Sequence, residues 1–186
     1  MHQTLVPFVA YPTVQRFSIC YGGTCSRRAT LGLTQAEWAR VRSVFVPPPA
    51  TPAAERQSLR RAIALLQGIV GPKTGTDHNL GENRGHGLPG QMDCVDQSID
   101  TSVYLTLIQQ DGLLRWHRLV GRSTRGPFTG VMQWPHSTAV IVDSTDGTEY
   151  AVDAWFLDNG QPPFIVPLRQ WANGWRPATP ATAPPS

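Results

Sequence analysis

Cys94, His136 and Asp153 lie in one stretch of the chain between Gln91 and Phe156. A thiol is a poor nucleophile at neutral pH because little of it is thiolate. An imidazole can take its proton, or hold the thiolate as an ion pair, and a carboxylate can fix that imidazole in one tautomer and orientation. A thiol, an imidazole and a carboxylate in this order can therefore attack a carbonyl. Cys94 stands at the start of a helix-like segment, where backbone N–H ends favour an anion. His136 stands at the mouth of a strand-like segment and Asp153 within the next one. Asp93 and Asp96 bring carboxylates to the same helix end, where they read as N-cap and capping group. The competing reading of Cys94 is a buried free thiol, the commoner state of a cysteine.

The elements that must position these groups follow from local patterns. Asp93 to about Gln110 reads as a helix, with Val95, Ile99, Val103 and Leu107 stepping along one face and Ile108 beside them. Residues 131–142 and 149–156 read as strands rich in Val, Ile, Thr and Trp, joined by a turn at Ser144-Thr145-Asp146-Gly147. Register decides whether His136 can meet Asp153. If Asp146-Gly147 were the whole turn, Val140 would face Asp153, and His136 would lie about 13 Å away along the strand. A direct pair requires another register, a bulge or a twist. Asp143 and Asp158 are the other carboxylates open to the third role, but the first ends its strand and the second begins a loop.

Upstream, Val14 to Tyr21 reads as a strand in an otherwise irregular N-terminal part. Thr34-Gln35-Ala36-Glu37 is a capping box for a helix to about Phe45, stopped by Pro47-Pro48-Pro49. Thr51-Pro52 starts a second helix, carrying Leu59, Ile63, Leu66 and Val70, which Gly71-Pro72 should stop. Residues 73–90 form a Gly-rich loop leading into Cys94, the kind of long loop that often serves function. Its Asp77, Asn79, Glu82 and Asn83 do not follow the EF-hand pattern, and no metal is expected. Leu113 to Val120 and Phe164 to Leu168 read as strands. His117 reads as structural.

The bulk composition sets limits. The chain has 186 residues, 40% of them hydrophobic, with six Trp and six Phe. That supports one core rather than two. Residues 1–90 carry ten Lys or Arg against four acids, and residues 91–186 six against nine. Without an interleaved aromatic and basic stripe, this asymmetry reads as internal complementarity, and no nucleic-acid partner is expected. No apolar run is long enough for a membrane span. The N-terminus lacks the pattern of a secretory signal, so a cytoplasmic location is the default expectation. Cys20 and Cys25 sit close together, able to pair if oxidised, which leaves Cys94 alone.

The order Cys94, His136, Asp153, with the last two on neighbouring strands, resembles the catalytic core of the transglutaminase-like superfamily, a branch of the papain-like cysteine peptidase fold. The nearest group is the bacterial transglutaminase-like cysteine peptidases, and the resemblance covers about residues 55–170. It implies Cys94 as nucleophile, His136 as general base and then acid, and Asp153 as the orienting carboxylate. It also implies the Cys94 amide as one oxyanion donor and Gln91 as a side-chain candidate. Trp134, just before Pro135-His136, is a candidate for site wall or donor, or else a rim or core aromatic.

The expectation is therefore a single α+β domain over residues 1–175 with a Pro-rich disordered tail at 176–186. N-terminal helices and a Cys-bearing helix pack on an antiparallel sheet. The expected activity is cysteine-based acyl transfer on a protein or peptide substrate without a cofactor, with hydrolysis of peptide or isopeptide bonds first. An amine acyltransferase of the same fold, or an inactive binding module, is the alternative.

Overall fold

The computed structural model describes residues 8–126 and 135–178. The predicted Pro-rich tail beyond residue 178, Trp134 and the beginning of the strand predicted from residue 131 lie outside the described residues. The chain is mixed α+β. An antiparallel hairpin of β1 (Phe17–Tyr21) and β2 (Arg27–Leu31) comes first, its connection closed by a Cys20–Cys25 disulfide. Only β1 was legible: the sequence of β2, Arg-Arg-Ala-Thr-Leu, has one long apolar side chain and no clean alternation.

The predicted capping box is present. The Glu37 amide donates to Thr34 Oγ1, the Thr34 amide donates to the Glu37 carboxylate, and α1 (Gln35–Ser43) follows. In α2 (Pro52–Thr74) the Thr51 hydroxyl caps the Ala54 amide. This helix runs through Pro72 instead of stopping there. The carbonyl that Pro72 leaves unbonded is that of Gly68, which is exposed, so water can serve it. Gly75, in the left-handed conformation at φ 75°, then ends the helix with its amide on the Gly71 carbonyl.

The main sheet has the order β3-β4-β5-β6, all antiparallel, built from His117–Arg125, His136–Asp143, Glu149–Asp153 and Phe164–Pro167. The strand expected from Leu113 begins later and extends further. The cause is Glu55 on α2, a fully buried carboxylate that accepts the amides of Arg115, Trp116 and His117 and so holds that segment off the sheet. A short helix, α4 (Leu168–Ala172), closes the fold and was not anticipated.

The Cys-bearing helix α3 (Cys94–Gln110) packs on β4 and β1. The core joins Phe17 and Ile19, Leu59, Ile63 and Leu66, Val103, Leu107 and Ile108, and Ala139, Ile141 and Val152 from these elements. β4 is buried along its whole length. In the first two turns of α3 the predicted stripe is displaced. Val95 and Ile99 are half-buried, whereas Asp96 and Asp100 are fully buried. Backbone amides of the disulfide-closed connection need acceptors there: Cys20 N–H donates to Asp100, Gly23 and Cys25 N–H to Asp96, and Thr24 N–H to Asp93.

Candidate active site

Asp93 is the N-cap of α3, accepting the amides of Val95 and Asp96, while the Asp96 carboxylate accepts the Asp93 amide. This reciprocal cap places Cys94 as the first helical residue. The Cys94 thiol donates to the Pro135 carbonyl at 3.7 Å, and the Ser137 amide is directed at the sulfur. The sulfur therefore meets the backbone on both sides of His136. Burial pushes the Cys94 thiol above its ordinary value. The Ser137 amide opposes that rise, and the Asp93 and Asp153 carboxylates add to it. The sequence reading anticipated a thiol lowered by the helix end. The structure moves it the other way, because the sulfur is desolvated and the Asp93 and Asp153 carboxylates disfavour its charged form.

His136 and Asp153 form the tightest contact of the site. Their Nε2 to Oδ2 distance is 2.6 Å and both side chains are buried. A carboxylate only accepts, so Nε2 carries the ring proton. The other nitrogen, Nδ1, is buried without a hydrogen-bond partner among the described residues. In the neutral ring Nδ1 is thus a buried lone pair, the form a general base requires, and among the described residues no hydrogen bond joins it to the Cys94 sulfur.

The register condition is met by the turn. Asp143 and Thr148 pair by the Asp143 amide on the Thr148 carbonyl at 2.8 Å, so the connection is the full tetrapeptide Ser144 to Gly147. Val140 then faces Ala151, and Ala139 faces Val152. Compared with the two-residue turn, the pairing moves by two residues. The side chains stay on the same face, and the strand distance between His136 and Asp153 falls to about two residues, roughly 7 Å. Long side chains on diagonal neighbours can close that gap.

Aromatic rings enclose the imidazole. Trp155, Phe156 and Trp171 lie at 4.7, 5.4 and 5.5 Å between ring centroids. Asp153 is held from three directions: Oδ2 also accepts Trp171 Nε1–H at 2.7 Å, and Oδ1 accepts the Trp155 amide at 3.1 Å. The Gly-rich loop is pinned beside Trp155. The Glu82 amide donates to the Trp155 carbonyl, Trp155 Nε1–H donates to Asn83, and Asp158 accepts from the Gly81 amide and from Arg84. A Cβ at Gly81 would come within 2.6 Å of the Phe156 carbonyl, so glycine is required for this close approach.

Gln91 is committed to the same loop. Its side chain donates to the His78 carbonyl at 2.9 Å and accepts the Leu80 amide at 3.0 Å. These bonds use Gln91 to shape the loop that enters Cys94. Asp143 is taken up by Thr145 and Arg56, and Asp158 by the loop, leaving Asp153 as the carboxylate on His136. His117 is buried with Nδ1 2.9 Å from Glu55, in keeping with a structural role. Asn79 and Asn83 accept from the Met92 amide and Trp155. Among the described residues no cluster of three or more His, Cys, Asp or Glu is placed to hold a metal.

The sequence reading missed Trp171 and the Ser137 amide. No local signal links a tryptophan after the last strand to a carboxylate eighteen residues earlier. The Ser137 amide follows only from how α3 crosses β4.

Comparison with family models, curated proteins and solved structures returned no match for this chain.

Proposed function

We propose that this chain is a cysteine-nucleophile acyl-transfer enzyme of the transglutaminase-like type, hydrolysing peptide or isopeptide amide bonds through Cys94, His136 and Asp153. One observation carries the reading: the buried His136–Asp153 pair at 2.6 Å, with His136 Nδ1 unpartnered among the described residues and the Cys94 sulfur against the neighbouring backbone. In the resting state the sulfur is a thiol, its charged form disfavoured by burial. As a carbonyl carbon approaches, the thiol proton passes to Nδ1 and the sulfur bonds to carbon. The resulting imidazolium is stabilised by Asp153. The Nδ1 proton then leaves with the departing amine, and a thioester remains on Cys94. Water, deprotonated by Nδ1, cleaves the thioester to a carboxylic acid and restores the thiol.

The test is a panel of peptide and isopeptide amides with released amine quantified. The reading expects turnover that disappears in Cys94→Ala and falls at least 100-fold in His136→Ala. Turnover that survives in Cys94→Ala would refute it. So would a wild-type protein that cleaves no member of the panel and forms no thioester, which would leave the binding-module alternative. Added amines that capture the acyl group in preference to water would assign the transferase form.

A further inference from the structure

We infer that Trp171 is a positioning residue for the catalytic carboxylate, and that its indole N–H sets the pH range in which His136 works as a base; this rests on the proposed role of Cys94, His136 and Asp153. Trp171 lies on α4, outside the stretch that carries the three reactive groups, and is fully buried. Its Nε1–H donates to Asp153 Oδ2 at 2.7 Å, the same oxygen that accepts His136 Nε2–H at 2.6 Å. One carboxylate oxygen thus serves two strong donors. The indole is itself held. Arg125, at the end of β3 and directly opposite His136 in the β3–β4 register, places its guanidinium 4.5 Å from the centre of the Trp171 ring. The same guanidinium donates to the carbonyls of Trp171 and Trp175. The chain after the last strand is therefore fastened to the strand beside His136, and presents one N–H to Asp153.

The consequence has a sign. A donor shared with Trp171 leaves less electron density on Oδ2 for the Nε2 proton. The carboxylate then stabilises an imidazolium less than an undivided carboxylate would, which keeps the ring neutral and Nδ1 available. Without the indole N–H, Asp153 draws harder on Nε2 and the imidazolium is favoured. Among the described residues the charged or titratable groups around the pair are Asp153 on β5, Cys94 and Asp93 on α3, Arg125 on β3, and Arg176 after α4 over the Phe156 ring that packs on His136. Conversion of Trp171 to an aromatic without N–H changes none of these charges.

The experiment uses Trp171→Phe in the full chain, with kcat and KM measured from pH 5 to 9.5 on the best amide of the panel. The acid limb is expected to move to higher pH by about half to one unit. Activity at pH 6.5 should fall about three- to tenfold in kcat, with KM little changed, and should recover near pH 8.5. A purely structural tryptophan would lower activity equally at all pH values, and that result overturns the inference. If Trp171→Phe does not fold, the wild-type protein decides. The Trp171 indole N–H resonance should titrate with the same midpoint as the His136 ring, and an indole signal indifferent to that titration overturns the inference. The resonance measurement needs no turnover, so it separates failure of this inference from failure of the proposed activity.

Discussion

Asp153→Asn is the perturbation whose outcome the structure specifies most fully. Among the described residues, every hydrogen-bond partner of this carboxylate is a donor: His136 Nε2–H and Trp171 Nε1–H on Oδ2, and the Trp155 amide on Oδ1. Asparagine offers one acceptor oxygen and one NH2. With the oxygen toward His136 and Trp171, the NH2 opposes the Trp155 N–H. With the oxygen toward Trp155, the NH2 opposes His136, and the ring proton must move to Nδ1, which blocks the base. In either arrangement one charge-assisted bond is weakened, about 1.5–3 kcal/mol, and one buried donor is orphaned, about 1–3 kcal/mol. The sum, roughly 2.5–6 kcal/mol, should lower the melting temperature by about 5–24 °C. Turnover should fall by about 10²–10⁴, the usual share of a misdirected general base. The assay pairs kcat/KM with thermal unfolding, well below the melting point of the variant. Asp143→Asn is the control, because Asp143 belongs to the separate cluster with Arg56 and Thr145. It should lose stability and keep its rate. An Asp153→Asn variant within about threefold of wild type, or an Asp143→Asn variant equally slow, would refute the reasoning.

Other consequences can be measured on the same protein. Burial and the neighbouring Asp93 charge raise the Asp96 carboxyl from 3.8 to about 6, against the amides of Cys25, Gly23 and Asp93. The folded chain then keeps a proton that the unfolded chain releases, so this group's stabilisation is full below about pH 4 and is lost as pH rises to about 6, about 3 kcal/mol in all. The stability difference between wild type and Asp96→Asn in urea titrations should therefore change by about that amount between pH 4 and 6 and be flat above. Asp93→Asn preserves a good N-cap while removing a charge that raises the Cys94 thiol, so alkylation of Cys94 at pH 7.5 should speed up by about threefold; an unchanged rate contradicts the electrostatic account. Reduction of Cys20–Cys25, or Cys25→Ser, removes a short-loop constraint worth about 2 kcal/mol, and the melting temperature should drop by about 4–9 °C. A drop below about 1 °C would show that the connection holds its amides on Asp93, Asp96 and Asp100 without the disulfide.

Much of the fold was legible where a signal is local. The Thr34 and Thr51 caps, the start of the Cys94 helix and the strands around the Ser144–Gly147 turn all depend on residues a few positions apart. What escaped depends on partners distant in sequence. Glu55 displaces the start of β3 from about sixty residues away, and the disulfide-closed connection buries Asp96 and Asp100 on a helix face that periodicity assigned to Val95 and Ile99. The site followed the same division. Residue type and order singled out Cys94, His136 and Asp153, and the need for a changed register was derivable from strand geometry alone. The turn length that supplies this register was not, because Ser144-Thr145-Asp146-Gly147 is compatible with either a two- or a four-residue connection. Gln91 carries a role that residue type did not suggest: its side chain bonds the His78 carbonyl and the Leu80 amide and so shapes the loop that enters Cys94.

The central claim is that Cys94 becomes covalently acylated with His136 as its base. Acid-quenched intact-mass analysis after brief exposure to a peptide p-nitrophenyl ester tests it most directly. The account predicts one added acyl group per chain, mapped by digestion to Cys94, lost on addition of hydroxylamine, absent from Cys94→Ala and formed at least 100-fold more slowly in His136→Ala. Acylation at other residues, or at Cys94 at equal rates in wild type, His136→Ala and urea-unfolded protein, would contradict it.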